Sequence, residues 1–174
     1  MIINKELANS KGVNEKDLWE TDPELYKVLN EVYNFTLDPC CVKETAKCNN
    51  FYTPNENGLS KDWTNEVVFM NPPYSRGNID KWMEKAYTES KKGSIIVALI
   101  PVSASAKWWH KYVIGKCKLT YIQGRVKFVG AESTAPFSSV LAIYGDKNND
   151  FFNCEKKRGG FFVLNYNVYS MVAL

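Results

Sequence analysis

The chain has 174 residues, of which 45% are hydrophobic and 24% charged, with a formal net charge of +3; this composition is typical of one globular domain. No apolar stretch reaches the roughly 20 residues that span a bilayer, and the polar N-terminus is unlike a signal peptide, so we expect a cytoplasmic protein without membrane segments. The five cysteines show neither a disulfide framework nor zinc-binding spacing, so we expect no bound metal.

The first 17 residues show weak periodicity and are expected to form a loosely packed lead-in to a single domain at 18–174. A helix is predicted over residues 22–33, because apolar residues recur there at helical intervals. Thr21 and Glu24 have the spacing of a capping box, which predicts that this helix begins beside Thr21.

The rest of the chain alternates between predicted strands and helices. Strands are predicted at 35–37, 50–53, 67–70, 94–100, 119–122, 140–144 and 161–164, and helices at 40–48, from 79 to the glycine at 93, and at 104–114. The run at 94–100 is almost entirely apolar, which is typical of a strand buried on both faces. The alternation predicts an α/β fold with a three-layer, mostly parallel central sheet.

The tetrapeptide Asn71-Pro72-Pro73-Tyr74 directly follows a predicted strand, an arrangement that enzymes use to present a flat amino group for methylation. The amide carbonyl of Asn71 and the backbone carbonyl of Pro72 can each accept one hydrogen of an exocyclic NH2 group. The prolines stiffen the backbone, and Tyr74 offers a ring for stacking. The alternative is a strand that ends in a rigid turn with a packed tyrosine.

A second polar residue, Asp38, ends a predicted strand and is followed by Pro39. In open α/β sheets, ligands bind beyond the carboxyl ends of strands, near the point where the strand order reverses. We therefore expect Asp38 and Asn71 to face one crevice, in which one strand end holds a methyl donor and the other holds the acceptor nitrogen. The alternative for Asp38 is a helix cap at a strand-to-helix turn.

A colinear series of short motifs resembles phage-type Dam proteins, which are DNA N6-adenine methyltransferases. The motifs are Trp19-Glu20-Thr21, Phe35 to Cys41, Cys48 to Thr53, Asn57-Gly58-Leu59, Asp62-Trp63, Asn71 to Tyr74, Leu99-Ile100-Pro101, Gly124 to Phe128, and Ala135-Pro136-Phe137. The resemblance covers roughly residues 18–145. It implies a class I, Rossmann-like methyltransferase fold, S-adenosylmethionine as the donor and adenine in DNA as the acceptor.

The resemblance also implies roles for individual residues. The donor would be bound by Thr21, Asp38, Pro39, Cys40 and Asn57, and the catalytic residues would be those of the Asn71–Tyr74 motif.

Four further residues are candidates for contact with DNA. Ser75 and Arg76 follow the catalytic motif and could touch a flipped-out strand. Arg125 and Lys127 lie in the segment that resembles the region flanking the target base, and their charges suit phosphate contacts. The alternative for Arg125 and Lys127 is a hairpin that faces solvent.

The sequence departs from the phage-type pattern at two of these positions. Asp22 stands between Thr21 and Pro23, where proline usually follows the threonine directly. Asn57 replaces an aspartate with an amide, which can still form hydrogen bonds. A glycine-rich cofactor loop is absent, and Asp38, Pro39 and the two following cysteines occupy its place, as in the phage-type proteins.

Charge is unevenly distributed along the chain. Residues 1–90 carry 10 Lys and Arg against 15 Asp and Glu, whereas residues 91–174 carry 12 against 4. The basic half is a candidate surface for a polyanion such as DNA, although dispersed lysines also occur on ordinary solvated faces. Methylation of RNA adenine or of protein glutamine, and an inactive nucleic-acid-binding module, remain as alternatives at the level of sequence.

Overall fold

The computed structural model describes residue 17 and residues 19–146. Within this part of the chain the helices are α1 (Pro23–Tyr33), α2 (Ile79–Ser90) and α3 (Lys107–Tyr112), and the strands are β1 (Leu37–Asp38), β2 (Asn50–Phe51), β3 (Val67–Met70), β4 (Ile95–Pro101), β5 (Lys118–Tyr121) and β6 (Ser139–Tyr144). The predicted strand at 161–164 and most of the predicted lead-in lie outside the described residues.

The six strands form one sheet in the order β2-β1-β3-β4-β6-β5. The pairings from β2 through β4 are parallel, whereas β6 runs antiparallel to both β4 and β5. The α/β class and the mostly parallel sheet are confirmed. The chain places β2 on one side of β1 and β3 on the other, so the strand order reverses between β1 and β3.

Side chains of the central strands alternate between two apolar layers. In β4, Ile96, Ala98 and Ile100 pack in the layer that contains α2 and α3, whereas Val97 and Leu99 pack in the layer that contains α1. This period of two is the expected consequence of strand geometry. A sheet with helices on both faces results, and its strand ends remain free to carry polar groups.

The start of α1 differs from its sequence prediction. The N-cap is Asp22, whose Oδ1 accepts hydrogen bonds from the backbone N–H groups of Glu24 at 2.9 Å and Leu25 at 3.2 Å. The prediction of a capping box from Thr21 was therefore wrong. The reason is that a carboxylate directly beside the first turn reaches these donors without help from Thr21.

The predicted helix at 40–48 is reduced to a single 3₁₀ turn at Lys43–Thr45. The loop instead wraps around the side chain of Asp38, which accepts hydrogen bonds from the backbone N–H groups of Cys40 and Lys47. Those two N–H groups are thereby withdrawn from a regular helix. The same carboxylate that ends β1 shapes the loop after it.

Candidate active site

A cavity of about 230 Å³ lies at the carboxyl ends of β1 and β3. Its β1 side is walled by Thr21, by Asp38, Pro39 and Cys40, and by Asn57 and Gly58, and Asn71 and Pro73 line its β3 side. Since the strand order reverses between these strands, this is where an open α/β sheet offers a crevice for ligands. The structure places both strand-end polar residues, Asp38 and Asn71, in the same cavity.

Asp38 is a buried carboxylate, with only 3% of its surface exposed. Its Oδ2 accepts a hydrogen bond from the Lys47 backbone N–H at 3.0 Å, and its Oδ1 accepts a longer one from the Cys40 N–H at 3.5 Å. Burial raises the pKa of Asp38 to about 6, although these N–H donors oppose the shift. The side chain is thus mostly ionised at neutral pH and becomes neutral in mildly acidic solution.

Thr21 has a buried hydroxyl that finds no hydrogen-bond partner among the described residues. The residue is 2% exposed and lines the cavity. Buried polar atoms are normally paired, so an unpaired hydroxyl in a cavity wall marks a point where a ligand can bond. Because Asp22 caps α1, the Thr21 hydroxyl remains available for this purpose.

The turn at Asn57-Gly58 closes the β1 side of the cavity. A Cβ atom on Gly58 would stand 2.1 Å from the carbonyl oxygen of Pro39, which no real side chain tolerates. Asn57 has the left-handed backbone conformation, with φ of 52°. The Gly58 carbonyl accepts a hydrogen bond from the indole N–H of Trp63 at 3.1 Å. Glycine is therefore required here for the close approach of two backbone segments.

Asn71 is held at both ends of its amide. Its Nδ2 donates to the backbone carbonyl of Trp19 at 2.8 Å, and its Oδ1 accepts from the hydroxyl of Tyr74 at 2.7 Å. The Tyr74 hydroxyl also lies 3.0 Å from the carbonyl oxygen of Leu99. Burial raises the pKa of Tyr74 well above its ordinary value, so the phenol keeps the proton that it donates. The second lone pair of Asn71 Oδ1 remains able to accept another hydrogen bond.

Aromatic rings surround Tyr74 on the β3 side. The Tyr74 ring makes edge contacts with Phe128 and Phe137, at centroid distances of 6.2 and 5.6 Å. Trp19 stacks on Phe128 at 5.0 Å with an interplanar angle of 24°. Pro72 is buried and, like Tyr74, is not part of the cavity wall. We call Trp19, Tyr74, Phe128 and Phe137 the aromatic cluster.

The four predicted DNA-contacting residues all lie outside the cavity wall. Ser75 is half-buried, and its backbone N–H donates to Asp17 Oδ1 at 2.9 Å. Arg76 and Lys127 are exposed. Arg125 is exposed too, but its guanidinium donates to the carbonyl oxygen of Ala135 at 3.2 Å and so holds its own loop together. These positions suit contact with a large substrate better than contact with a small ligand.

Sequence reasoning missed several residues of the cavity wall, among them Asp17, Glu20, Lys47 and Trp82. Glu20 and Lys47 form an ion pair at 2.8 Å that joins the segment before α1 to the loop after β1. Trp82 lies on the apolar face of α2, and its helical spacing predicts a core residue and not a residue of a binding site. An acidic residue and a lysine 27 positions apart carry no sequence signal for pairing.

The described residues show neither a metal-binding cluster nor a membrane-spanning helix. Among residues 17 and 19–146, no group of three or more His, Cys, Asp or Glu side chains is arranged to hold a metal ion. None of the helices described in this part of the chain has the length and apolar character needed to cross a membrane.

Comparison with known proteins identifies the family. The family described as DNA N-6-adenine-methyltransferase (Dam) matches residues 9–142. A DNA N-6-adenine-methyltransferase of Haemophilus phage HP1 is 32% identical over 130 residues, covering 72% of this chain and 73% of the relative. A protein of the same description from Escherichia phage T1 is 33% identical over 105 residues, covering 57% of this chain and 43% of the relative.

The fold is also found in a solved structure. A proposed RNA methyltransferase of Pyrococcus horikoshii superimposes with a TM-score of 0.50 at 11% identity, covering 83% of this chain and 98% of that chain. At this identity the likeness concerns the fold alone, and it agrees with the methyltransferase architecture. The phage relatives and the family match together show that the chain belongs to the DNA N-6-adenine-methyltransferase (Dam) family.

Proposed function

We propose that the cavity between β1 and β3 binds S-adenosylmethionine and that Asn71 holds the N6 amine of an adenine in DNA beside it. Membership of the family makes the reaction a methyl transfer to adenine N6. This assignment of the site rests on one observation: Asp38 at the end of β1 and Asn71 after the end of β3 line the same cavity, and the two strands are parallel neighbours.

The residues of the β1 side fit the chemistry of this donor. Thr21 supplies a hydroxyl that has no partner in the described part of the chain. Asp38 supplies a buried carboxylate that is mostly ionised at neutral pH and attracts a cationic ligand. Burial raises the pKa of the Cys40 and Cys41 thiols well above the ordinary value, so both stay protonated and act as apolar wall. When bound, the donor supplies an electrophilic methyl group.

On the β3 side, the protein binds and orients the adenine that accepts the methyl group. The free lone pair of Asn71 Oδ1 and the backbone carbonyl of Pro72 can each accept one N6–H bond. Such acceptors favour a more nucleophilic nitrogen and stabilise the positive charge that develops on it. The extra proton of the product can leave to solvent, so no side-chain base is required.

Tyr74 is suited to bind the flipped base by stacking. Its ring is held by edge contacts with Phe128 and Phe137, and the residue is only half-buried. A held ring loses little freedom when a base stacks on it, and such stacking contributes about 1–3 kcal/mol per base. Base flipping is needed because N6 is not accessible to an enzyme inside the duplex.

The experiment combines donor binding with methyl transfer. Tritiated donor is offered with DNA, RNA and protein in competition, and donor binding is measured by calorimetry. We expect label in DNA adenine only. Asn71→Ala should lower the rate of transfer by about 100- to 1,000-fold, as expected for loss of a charge-stabilising group, while donor binding remains.

The matched control is Asn49→Ala, which removes an exposed amide outside the cavity wall. This variant should transfer methyl groups like the parent protein. Undiminished transfer by Asn71→Ala, or label in RNA or protein instead of DNA, would contradict the proposal.

A further inference from the structure

The amide of Asn71 must be oriented correctly to serve the proposed function, on which this inference rests. The two ends of an amide have nearly the same shape, but only the oxygen can accept a hydrogen bond from an amine. A rotated Asn71 would point its NH2 group at the N6 amine, where donor would meet donor. A neighbouring group must therefore fix the orientation of the Asn71 amide, so that its oxygen and not its NH2 group faces the N6 amine.

Within the described part of the chain, two groups form hydrogen bonds with the Asn71 amide, and only one of these two can distinguish its oxygen from its NH2 group. The Tyr74 hydroxyl lies 2.7 Å from Asn71 Oδ1 and 3.0 Å from the Leu99 carbonyl oxygen. A hydroxyl can donate or accept, so with an inverted amide it could accept from the NH2 group and donate to Leu99 instead. The Trp19 carbonyl, 2.8 Å from Asn71 Nδ2, can only accept. This carbonyl alone requires the NH2 group on its own side.

The Trp19 carbonyl is held in place by the segment around it. The Trp19 ring stacks on Phe128 at 5.0 Å. The next residue, Glu20, forms an isolated antiparallel bridge with Val129, whose N–H donates to the Glu20 carbonyl at 2.9 Å. The Glu20 carboxylate forms an ion pair with Lys47 at 2.8 Å. The carbonyl is thus anchored to the loop of Phe128 on one side and to the cavity wall on the other.

We propose that Trp19 is a positioning residue for methyl transfer: its stacked ring holds its own backbone carbonyl against the Nδ2 of Asn71, so that the Asn71 oxygen is presented to the acceptor amine. Trp19 and Asn71 are 52 positions apart in the sequence. The contact therefore links the segment before α1 to the catalytic turn after β3.

The test is a double-mutant cycle between Trp19 and Asn71. Trp19→Ala keeps the carbonyl but loses the stacked ring, so the amide is no longer held in one orientation. We expect kcat to fall about 10- to 100-fold, as expected for a misplaced reacting group, and KM for the donor to change less than kcat does, although Trp19 also lines the cavity. Trp19→Phe keeps a ring on Phe128 and should recover most of kcat.

Asn71→Asp distinguishes a loss of amide orientation from a general loss of activity. A carboxylate has two equivalent oxygens and needs no orientation, but while Trp19 is present one of these oxygens would face the Trp19 carbonyl oxygen and be repelled. We expect Asn71→Asp to lower kcat when Trp19 is present. Adding Trp19→Ala to it should cause no further loss, so the two effects are non-additive in kcat.

Trp108→Ala is the matched control, because Trp108 is a half-buried tryptophan of α3 in the other apolar layer. Its effect on kcat should simply multiply with that of Asn71→Asp. Melting temperatures are recorded for all variants, and Trp19→Leu, which keeps apolar contact without stacking, replaces Trp19→Ala should that variant not fold. Multiplicative effects of Trp19 and Asn71 substitutions, or a Trp19 effect confined to KM for the donor, would overturn the inference. Full activity of Asn71→Ala would instead overturn the proposed function itself.

Discussion

The β1 side of the cavity is walled by backbone segments and short, mostly buried side chains, whereas its β3 side is surrounded by large rings and exposed loops. On the β1 side, Gly58 packs directly on the Pro39 carbonyl and Asp38 gathers backbone N–H groups from its own loop. On the β3 side, Asn71 and Tyr74 depend on Trp19 and Phe137, which come from distant parts of the chain. The first side has the character of a preformed small-molecule site, and the second that of a surface for a large substrate.

The largest effect on the β1 side is expected from Gly58→Ala. The added Cβ would meet the Pro39 carbonyl oxygen at 2.1 Å, so one of the two backbone segments must move and the cavity wall with it. We expect donor affinity, measured by calorimetry, to fall by about 100-fold or more, since misplacements of about 1 Å have consequences of this size.

Gly124→Ala is the matched change on the β3 side. Gly124 has a positive φ of 82°, and no atom of the described residues lies within 4 Å of an added Cβ. The substitution should lower the free energy of unfolding by about 1–2 kcal/mol through backbone strain and leave donor affinity unchanged. Equal loss of donor affinity in both glycine variants would contradict the distinction between the two sides.

Asp38 is expected to produce the next largest effect, with a characteristic pH dependence. Its pKa is about 6 in the folded protein against 3.8 for an aspartate in water, so the folded state binds the proton more tightly than the unfolded state does. The contribution of Asp38 to stability is therefore greatest below about pH 4 and is lost as the pH rises through 6. Donor binding should show the opposite trend, because the ionised carboxylate attracts the cationic ligand.

Asp38→Asn tests both trends. At pH 7.5 we expect donor affinity to fall by about 10- to 150-fold, the loss expected for a hydrogen bond to a charged group. The melting temperature of the parent protein relative to this variant should rise as the pH is lowered from 7 to 5. An unchanged difference in melting temperature over this range would show that Asp38 does not titrate as described.

Thr21→Val should have a smaller effect and one that is specific to the donor. The hydroxyl has no partner within the described part of the protein, so its removal loses no internal hydrogen bond and should not lower stability. Donor affinity should fall by about 2- to 12-fold, as expected for one neutral hydrogen bond. Thr21→Ser, which keeps the hydroxyl, is the control, and equal donor affinity of Thr21→Val and the parent protein would exclude a contact from Thr21.

Lys127→Ala should have the smallest effect, which we expect on the affinity for DNA and not on the affinity for the donor. Lys127 is exposed on the loop that carries Phe128, so loss of one phosphate contact should reduce the slope of log affinity against log salt by about 0.9. Donor affinity should not change. Lys43→Ala removes an exposed lysine on the β1 side and should leave the salt slope as it is; equal slopes for both lysine variants would argue against a DNA contact by Lys127.

The difference between the two sides also explains what could be predicted from sequence. Asp38 and Asn71 end strands, and parallel strands bring their carboxyl ends to one edge of a sheet, so their common cavity follows from local pattern and a general rule of α/β folds. Asn57-Gly58 ends the stretch at 54–58, whose Pro, Asn and Gly residues are typical of a turn. In each case the signal lies within a few residues of the chain.

The missed features depend on contacts between distant segments. Trp19 and Asn71 are 52 positions apart, and Asp17 and Ser75 are 58 apart; neither spacing has a periodicity that a single sequence reveals. The capping prediction at Thr21 failed for another reason, since two adjacent residues could both cap α1 and Asp22 lies closer to the free N–H groups. As a result, the Thr21 hydroxyl lies in the cavity wall without a partner among the described residues.

The most direct test is a crystal structure of the protein with S-adenosylhomocysteine, the product form of the donor. We expect this ligand to lie in the cavity between β1 and β3, with a polar atom on the Thr21 hydroxyl and its sulfur on the side of Asn71. A ligand bound elsewhere on the protein, or one whose sulfur points away from Asn71, would contradict the proposed site.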